Sequence, residues 1–86
     1  MVFCKILFKR SAEKELRQIS QPFLAQIIER IEILSSDPRP AGIQMLKGEG
    51  RYFRIRQGDY RIIYEVDDIQ KEITIIKIGH HREVYN

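Results

Sequence analysis

The sequence has few of the features that mark secreted, membrane-bound or metal-cluster proteins. Its 86 residues include one cysteine, Cys4, so an internal disulfide and a cysteine-based metal cluster are excluded. No apolar run approaches the roughly 18 residues that a membrane span requires, and residues 1–9 lack the long apolar region of a signal peptide. We therefore expect a soluble, cytoplasmic protein that does not bind a membrane.

The usual groups for nucleophilic and metal-dependent catalysis are also missing. No serine or cysteine is placed with a base partner in the pattern of a nucleophilic site. The two histidines, His80 and His81, are adjacent in sequence, so their imidazoles point apart on an extended backbone and do not form a metal-ligand pair. The sequence thus predicts neither a metal site nor a cofactor.

The chain does contain enough apolar residues for one small domain. With 43% hydrophobic residues, it has room for one sheet and one helical layer in a single domain, residues 1–86. Its net charge of +3 is a weak indication of an anionic partner, because most small basic domains bind nothing in particular through charge alone. The charge becomes informative only when the basic side chains are placed on the fold.

The first part of the chain is predicted to form one strand and two helices. Apolar alternation over residues 2–8 indicates a strand buried on one face and partly covered on the other. Ser11 is suited to cap a short amphipathic helix. A second helix is predicted from near Pro22 to a stop at Asp37-Pro38. The two helices are expected to form a hairpin.

Residues 35–51 have no clear periodicity and are predicted to form a loop. Loops of this length are often functional. The glycines of this segment lack the spacing of a phosphate-cradling loop, and no helix is predicted to follow them. Lys47 is a secondary candidate for the functional site, because its ammonium group can reach a phosphate.

The last part of the chain alternates apolar residues with arginines at a two-residue period, which is typical of strands with two unlike faces. Three runs, residues 52–57, 60–66 and 72–78, are separated by Gly58-Asp59 and by a polar loop. This pattern predicts a three-stranded antiparallel meander. With the first strand and the two helices packed on the sheet, it predicts a small α+β domain.

The register of the first hairpin decides where its arginines point, since a one-residue slip exchanges the two faces of a strand. A two-residue turn places Arg56 opposite Arg61 and Arg54 opposite Ile63. A three-residue loop would instead mix core positions with solvent positions. The shorter turn is therefore predicted, and it puts Arg54, Arg56 and Arg61 on one face of the sheet.

The second hairpin is expected to add a fourth cation to this cluster. Pairing Val66 with Glu72 sets Lys77 against Arg61. Like charges directly across strands are destabilising, so the cluster suggests a bound anion, although an ordinary solvated strand face is the alternative. The same register leaves three apolar residues on the cluster-bearing face, which suggests that a chain segment or a partner helix packs there. These residues are Ile63, Ile73 and Ile75.

The C-terminal tail follows a strand that ends beside Arg61, so it can add side chains to the same cluster. After Gly79 it reads His80-His81-Arg82-Glu83-Val84-Tyr85. Arginine forks match phosphate oxygens bidentately, and an aromatic ring can stack on a base. This combination suits a phosphodiester.

These motifs resemble the RelE toxins of bacterial toxin-antitoxin systems, and the resemblance covers nearly the whole chain. It is carried by Leu46-Lys47-Gly48, Tyr52-Phe53-Arg54-Ile55-Arg56, Gly58-Asp59-Tyr60-Arg61-Ile62-Ile63-Tyr64 and the tail from Gly79 to Tyr85. RelE-like toxins are small ribosome-dependent endoribonucleases that cut mRNA in the ribosomal A site. The resemblance implies the same activity here, with mRNA, the ribosome and a RelB-like cognate antitoxin as partners.

The resemblance also implies a set of site residues. The catalytic candidates are Arg54, Arg56, Arg61, Arg82 and Tyr85, and the candidates for RNA binding are Lys47 and Lys77. RNA supplies its own nucleophile, the 2′-hydroxyl, so the protein has to orient it, stabilise negative charge and move two protons. Arginine is a poor general base, and Tyr85, His80 and His81 all remain candidates for the acid or base.

Two other functions fit the same sequence. One is a non-enzymatic toxin of the related ParE type, which inhibits DNA gyrase. The other is a binding module whose basic face docks an acidic protein partner. The arginine of the Gly58-Asp59-Tyr60-Arg61 motif, together with the tail, favours the ribonuclease.

Overall fold

A five-stranded mixed sheet with two helices on one face forms the part of the chain that the computed structural model describes, residues 3–46 and 50–80. The elements are β1 (Lys5–Phe8), α1 (Arg10–Arg17), α2 (Phe23–Ser36), β2 (Gln44–Leu46), β3 (Tyr52–Gln57), β4 (Tyr60–Asp67) and β5 (Glu72–His80). The strand order is β1-β5-β4-β3-β2. The predicted α+β class is confirmed, with one more strand than expected.

The additional strand, β2, lies inside the segment predicted to be a loop. It pairs antiparallel with β3, with Met45 opposite Phe53. A strand of three residues at the edge of a sheet is too short to show a period, so alternation could not reveal it. The first strand is confirmed over Lys5–Phe8, and it pairs in parallel with β5 at the other edge.

Both predicted helices form, but the predicted cap of the first helix does not. Helix α1 begins at Arg10, and Ser11 lies inside it, so the predicted capping role is wrong. Lys9, the N-cap residue, donates its backbone N–H to the Ile75 carbonyl at 3.0 Å, so the helix starts directly where the chain leaves the sheet. Helix α2 follows Pro22 and ends before Asp37, as predicted. Neither helix of the described chain is long and apolar enough to cross a membrane.

One face of the sheet packs against the helices to form the core. Alternate residues of β3, β4 and β5 point to this face because side chains of a strand alternate between its two sides. The buried core residues are Ala12, Ile19, Ile27, Ile31, Leu34, Phe53, Ile55, Ile62, Tyr64, Val66, Ile73, Ile75 and Ile78. The opposite face carries the arginines of β3.

The β4–β5 pairing contains a bulge that the sequence analysis missed. Asp67 pairs with Glu72 and Tyr64 with Ile75, one residue away from the predicted register, and a further shift follows between Ile63 and Tyr64. Beyond that shift, Ile63 pairs with Lys77. Because a one-residue shift exchanges the faces of a strand, both shifts change which side chains reach the core.

Two predictions about β5 are therefore wrong. Ile73 and Ile75 are fully buried in the core and not on the arginine-bearing face. Lys77 lies opposite Ile63, whereas Arg61 lies opposite Gly79. The predicted pairing of Lys77 with Arg61 does not form.

Polar contacts tie the loop between α2 and β2 to the sheet. The fully buried Tyr64 donates its hydroxyl to the Pro38 carbonyl at 2.8 Å. Arg39 donates to both carboxylate oxygens of Asp68, at 3.2 and 2.8 Å, and its guanidinium carbon lies 5.2 Å from the centroid of the Phe53 ring. The hydrogen bond from Arg39 lowers the pKa of the Asp68 carboxyl. These contacts set the start of the segment that leads into β2.

Replacing Tyr64 by Phe tests this anchor. The substitution keeps the ring but leaves the Pro38 carbonyl without its donor, so we expect the free energy of unfolding at pH 7 to fall by about 1 to 2 kcal/mol. Urea unfolding monitored by circular dichroism measures the difference. A stability equal to that of the wild type would show that the hydrogen bond contributes nothing.

The same variant gives a pH-dependent signature. Burial raises the pKa of Tyr64 to about 12, whereas a tyrosine in the unfolded chain titrates near 10. The stability contributed by this shift is therefore complete below about pH 10 and is lost as the pH rises towards 12. Between pH 9 and 11.5 the wild type should lose roughly 2 kcal/mol more than Tyr64→Phe. A parallel decline in both proteins would contradict this assignment.

Candidate functional site

The β3–β4 hairpin places three arginines on the sheet face that lies away from the helices. Its two-residue turn is confirmed, with Gln57 opposite Tyr60, and Gly58 has a φ of +61° that favours glycine. Arg56 lies directly opposite Arg61. The predicted first-hairpin register is therefore confirmed, including the juxtaposition of two like charges.

The arginines border one cleft of about 170 Å³ between β2, β3 and β4. Its described lining residues are Gly42, Gln44, Arg54, Arg56 and Arg61, here called the arginine cleft. Arg54 donates from its guanidinium to the Gln44 side-chain oxygen, and Arg56 Nε donates to the Gly58 carbonyl at 2.9 Å. Arg61 is half-buried. Uncharged acceptors thus direct two of the guanidinium groups without neutralising their charge.

Gln44 and Gly42 are site residues that the sequence analysis missed. Gln44 pairs with Arg54 across the β2–β3 ladder, so its side chain lies on the same face as the arginine. Gly42 has a φ of +90°, where the chain turns before β2. The signal available in the sequence was weak, because a glycine and a glutamine in a segment without periodicity point to no particular face.

Lys77 and His80 are both placed away from the arginine cleft. Lys77 Nζ donates to Glu15 Oε2 of α1 at 3.0 Å. His80 pairs with Tyr60, and their ring centroids are 5.9 Å apart. Tyr60 alternates with Arg61 along β4, so this aromatic pair lies on the helix side of the sheet. Four further predicted site residues, Lys47, His81, Arg82 and Tyr85, lie outside the described residues.

The arginine cleft can bind an anion but supplies no base of its own within the described chain. Its described lining residues include neither a carboxylate nor an imidazole. Across residues 3–46 and 50–80, no three side chains of histidine, cysteine, aspartate or glutamate are grouped to hold a metal ion. What the cleft offers is therefore positive charge and guanidinium hydrogen-bond donors, which match phosphate oxygens.

Comparison with known families identifies the chain. A family model described as the ParE toxin of the type II toxin-antitoxin system, parDE, matches residues 6–85. The chain belongs to this toxin family. Because the match spans almost the whole chain, it includes the arginine cleft and most of the C-terminal tail. The protein is thus a toxin of a type II toxin-antitoxin system.

Individual relatives place the chain near the RelE toxins. Toxin RelG of Mycobacterium tuberculosis is 26% identical over 81 residues, which cover 93% of both chains. The archaeal RelE-RelB complex from Pyrococcus horikoshii OT3 contains a chain with a TM-score of 0.82 and 28% identity, covering 91% of this chain and 94% of that one. A mutant of the E. coli toxin RelE in the free state has a TM-score of 0.80 and 25% identity, and the match covers 99% of this chain and 92% of that one. The resemblance to the RelE family is confirmed.

The positive charge of the arginine cleft predicts salt-dependent binding of a single-stranded polyanion. For Arg56→Gln, the slope of log affinity against log salt for a non-cleavable 2′-O-methyl RNA should fall by about 0.7, the value expected for one lost phosphate contact on a single strand. Arg10→Gln is the matched control, since Arg10 is an exposed arginine on α1. Fluorescence anisotropy across a salt series measures the slopes. Equal slopes for the two variants would count against phosphate binding in the cleft.

Proposed function

We propose that this toxin is a metal-independent, ribosome-dependent endoribonuclease that cleaves mRNA and so inhibits translation. The observation that carries the proposal is the convergence of Arg54, Arg56 and Arg61 in one cleft on the sheet face opposite the helices. Two of these arginines are directly opposed across neighbouring strands. Such an arrangement is unfavourable in isolation and is relieved by a bound anion.

The chemistry assigned to the cleft is stabilisation of charge on the scissile phosphate. The 2′-hydroxyl of the RNA attacks the adjacent phosphorus, the bond to the 5′-oxygen breaks, and a proton moves from the attacking to the leaving oxygen through acid and base groups. The three guanidinium groups stabilise the negative charge that builds up on the phosphate oxygens. Arg82 is proposed as a further stabiliser or as the proton donor to the leaving oxygen.

The proton transfers are assigned to the tail. None of the described residues of the arginine cleft is a suitable base at neutral pH, because a guanidinium stays protonated. Tyr85 is proposed as the base, and His81 is the competing candidate. His80 is less suited, since it pairs with Tyr60 on the helix side of the sheet.

Dependence on the ribosome follows from the absence of a strong base among the described residues that line the cleft. An enzyme that supplies mainly charge needs its substrate held with the 2′-oxygen in line with the leaving oxygen, and positioning can supply up to ~7 to 11 kcal/mol of a barrier. A ribosomal A site can hold mRNA in this way. Free RNA, which samples many conformations, should react poorly.

A cognate RelB-like antitoxin is the proposed protein partner. The similar chains from Pyrococcus horikoshii and Mycobacterium tuberculosis belong to complexes described as RelE-RelB and RelBE2. They are 28% and 27% identical to this chain and are matched over 91% and 92% of it. We infer that this toxin is likewise held inactive in such a complex.

Cleavage of programmed ribosomes tests the proposal. Purified toxin should cut a defined mRNA on the ribosome, as detected by primer extension, and should cut the same RNA poorly when it is free at matched salt. Arg61→Ala should lower the single-turnover rate by on the order of 10² to 10³, as expected for loss of one donor to the developing charge. Equal rates on free and ribosome-bound RNA would sink the ribosome-dependent mechanism.

Two controls separate activity from folding in this experiment. Circular dichroism should show that Arg61→Ala keeps the wild-type spectrum. Arg10→Ala removes an exposed arginine from α1 and should leave cleavage unchanged. If Arg61→Ala unfolds, the arginine is structural and its assignment to the site is wrong.

Substitutions in the tail decide which residue is the base. Tyr85→Phe should retain mRNA binding and lose most single-turnover cleavage, whereas His80→Gln and His81→Gln should retain more. If Tyr85 only stacks on a base, phenylalanine preserves the ring face and activity should survive. A near wild-type rate for Tyr85→Phe with a collapse for His81→Gln would transfer the role to the imidazole.

Inhibition of DNA gyrase is the second candidate function, favoured by the description of the matched family as ParE toxin. In that case the chain would act by binding and not by cleavage. A supercoiling assay with purified gyrase distinguishes the two. Gyrase inhibition without cleavage of ribosome-bound mRNA would replace the ribonuclease proposal.

A further inference from the structure

A carboxylate from α1 holds the end of β5. Glu15 Oε1 accepts a hydrogen bond from the backbone N–H of Ile78 at 2.9 Å, and Glu15 Oε2 accepts one from Lys77 Nζ at 3.0 Å. The Glu15 side chain is 29% exposed, so both contacts are partly shielded from water. A helix side chain therefore binds a main-chain donor of the strand. Hydrogen bonds that involve a charged group are stronger than neutral ones.

This contact lies next to the register shift in the β4–β5 ladder. Tyr64 pairs with Ile75, but Ile63, the preceding residue of β4, pairs with Lys77. If the ladder continued without the shift, Lys77 would lie opposite Ile62 and point into the core. The carboxylate of Glu15 binds Lys77 and Ile78, the two residues that directly follow the bulge. It is thus placed to hold the bulge in one register.

On the helix side, the end of β5 borders an open cleft beside the buried Ile78. The cleft has a volume of about 320 Å³. Its described lining residues are Glu15, Gln18, Ile19, Tyr60, Ile78, Gly79 and His80. Since close packing normally restricts side-chain and backbone positions, the part of β5 that borders this cleft depends more on its polar contacts and ladder pairs.

The strand end held by Glu15 borders the candidate site. Gly79, directly after Ile78, is the partner of Arg61 in the ladder. The chain then continues through His80 into residues 81–86, which contain the proposed tail groups. A shift at Ile78 would therefore displace both the strand that supports Arg61 and the point from which the tail departs.

We propose that Glu15 is a positioning residue for Arg61 of the arginine cleft. By accepting the Ile78 N–H, it holds the bulged end of β5 in the register that pairs Gly79 with Arg61. Glu15 itself acts through the backbone and touches no substrate. The inference rests on the proposed ribonuclease function for its catalytic consequence, but its structural basis can be measured independently.

Three variants separate the hydrogen bond from charge and from general effects on α1. Glu15→Ala removes the acceptor, whereas Glu15→Gln keeps an oxygen that can accept the Ile78 N–H. Glu13→Ala is the matched control, because Glu13 is an exposed carboxylate on the same helix and forms an ion pair with Arg17 at 3.6 Å. Circular dichroism should show folded protein for all three.

Single-turnover cleavage of ribosome-bound mRNA gives the catalytic readout. For Glu15→Ala we expect the maximal rate to fall by about 10- to 100-fold, the scale associated with a misplacement of about 1 Å. The ribosome concentration at half-maximal rate should change little, since the cleft keeps its cations. Glu15→Gln should recover most of the lost rate, and Glu13→Ala should match the wild type.

Nuclear magnetic resonance of the free toxin gives a readout that does not depend on activity. The amide of Ile78 should exchange with solvent faster in Glu15→Ala, and the amide shifts of Gly79 and His80 should move with it. Glu15→Gln should restore slow exchange. Removing a bonded acceptor exposes a donor to opening and exchange, which is why the amide reports the contact directly.

The outcomes assign failure to one idea or the other. Wild-type cleavage by Glu15→Ala, or an equal loss in Glu15→Ala and Glu15→Gln, would overturn the positioning role of the hydrogen bond. If the wild type does not cut ribosome-bound mRNA, the ribonuclease proposal fails. If the amides are also unchanged in Glu15→Ala, the structural role of the hydrogen bond between Glu15 and Ile78 fails as well. Both proposals are supported if Glu15→Ala alters the amides and lowers the maximal rate, and if Glu15→Gln restores both.

Discussion

The pairing of β4 with β3 on one side and β5 on the other is the constraint on which the rest of the structure depends. Because strand side chains alternate, fixing one residue of β4 fixes the face of every other residue in it. Ile62, Tyr64 and Val66 are buried against the helices, while Arg61 lies on the other side. The same strand thus builds the core and contributes to the arginine cleft, so the site cannot move without disturbing the packing.

The two faces of the sheet have different roles: one builds the apolar core, and the other carries the like-charged arginines. The helix-facing side is apolar, and no buried polar or charged residue occurs among the described positions of the core. The other side brings Arg56 and Arg61 together, and two uncharged groups, the Gln44 side chain and the Gly58 carbonyl, accept hydrogen bonds from Arg54 and Arg56. Some carboxylates elsewhere pair with other cations, as Asp68 does with Arg39. The guanidinium groups of the cleft are suited to a phosphate, which is the basis of the proposed activity.

The polar contacts between helices, loops and sheet act at the edges of the site and not within it. Tyr64 and Arg39 tie down the loop that leads to β2, and Gln44 of β2 then meets Arg54. On the other side of β4, Glu15 binds the bulged end of β5. Contacts between residues distant in sequence thus help to hold β2 and the end of β5, the strands on either side of the β3–β4 hairpin.

The sequence by itself determined the class of fold, the first hairpin and the face of its arginines. Alternation has a period of two, and a two-residue turn leaves only one parity for Arg54, Arg56 and Arg61. It also carried the motifs by which the toxin family could be recognised. The β4–β5 register was predicted incorrectly because the hairpin closes one residue away from the predicted pair, and a bulge then changes the parity of the strand again. The pattern around Ile75, Ile76 and Ile78 contained this change, but several apolar residues in succession allow more than one register. Only the tertiary structure decided that Lys77 binds Glu15 and that Gln44 joins the cleft, because both contacts link segments that no local period relates.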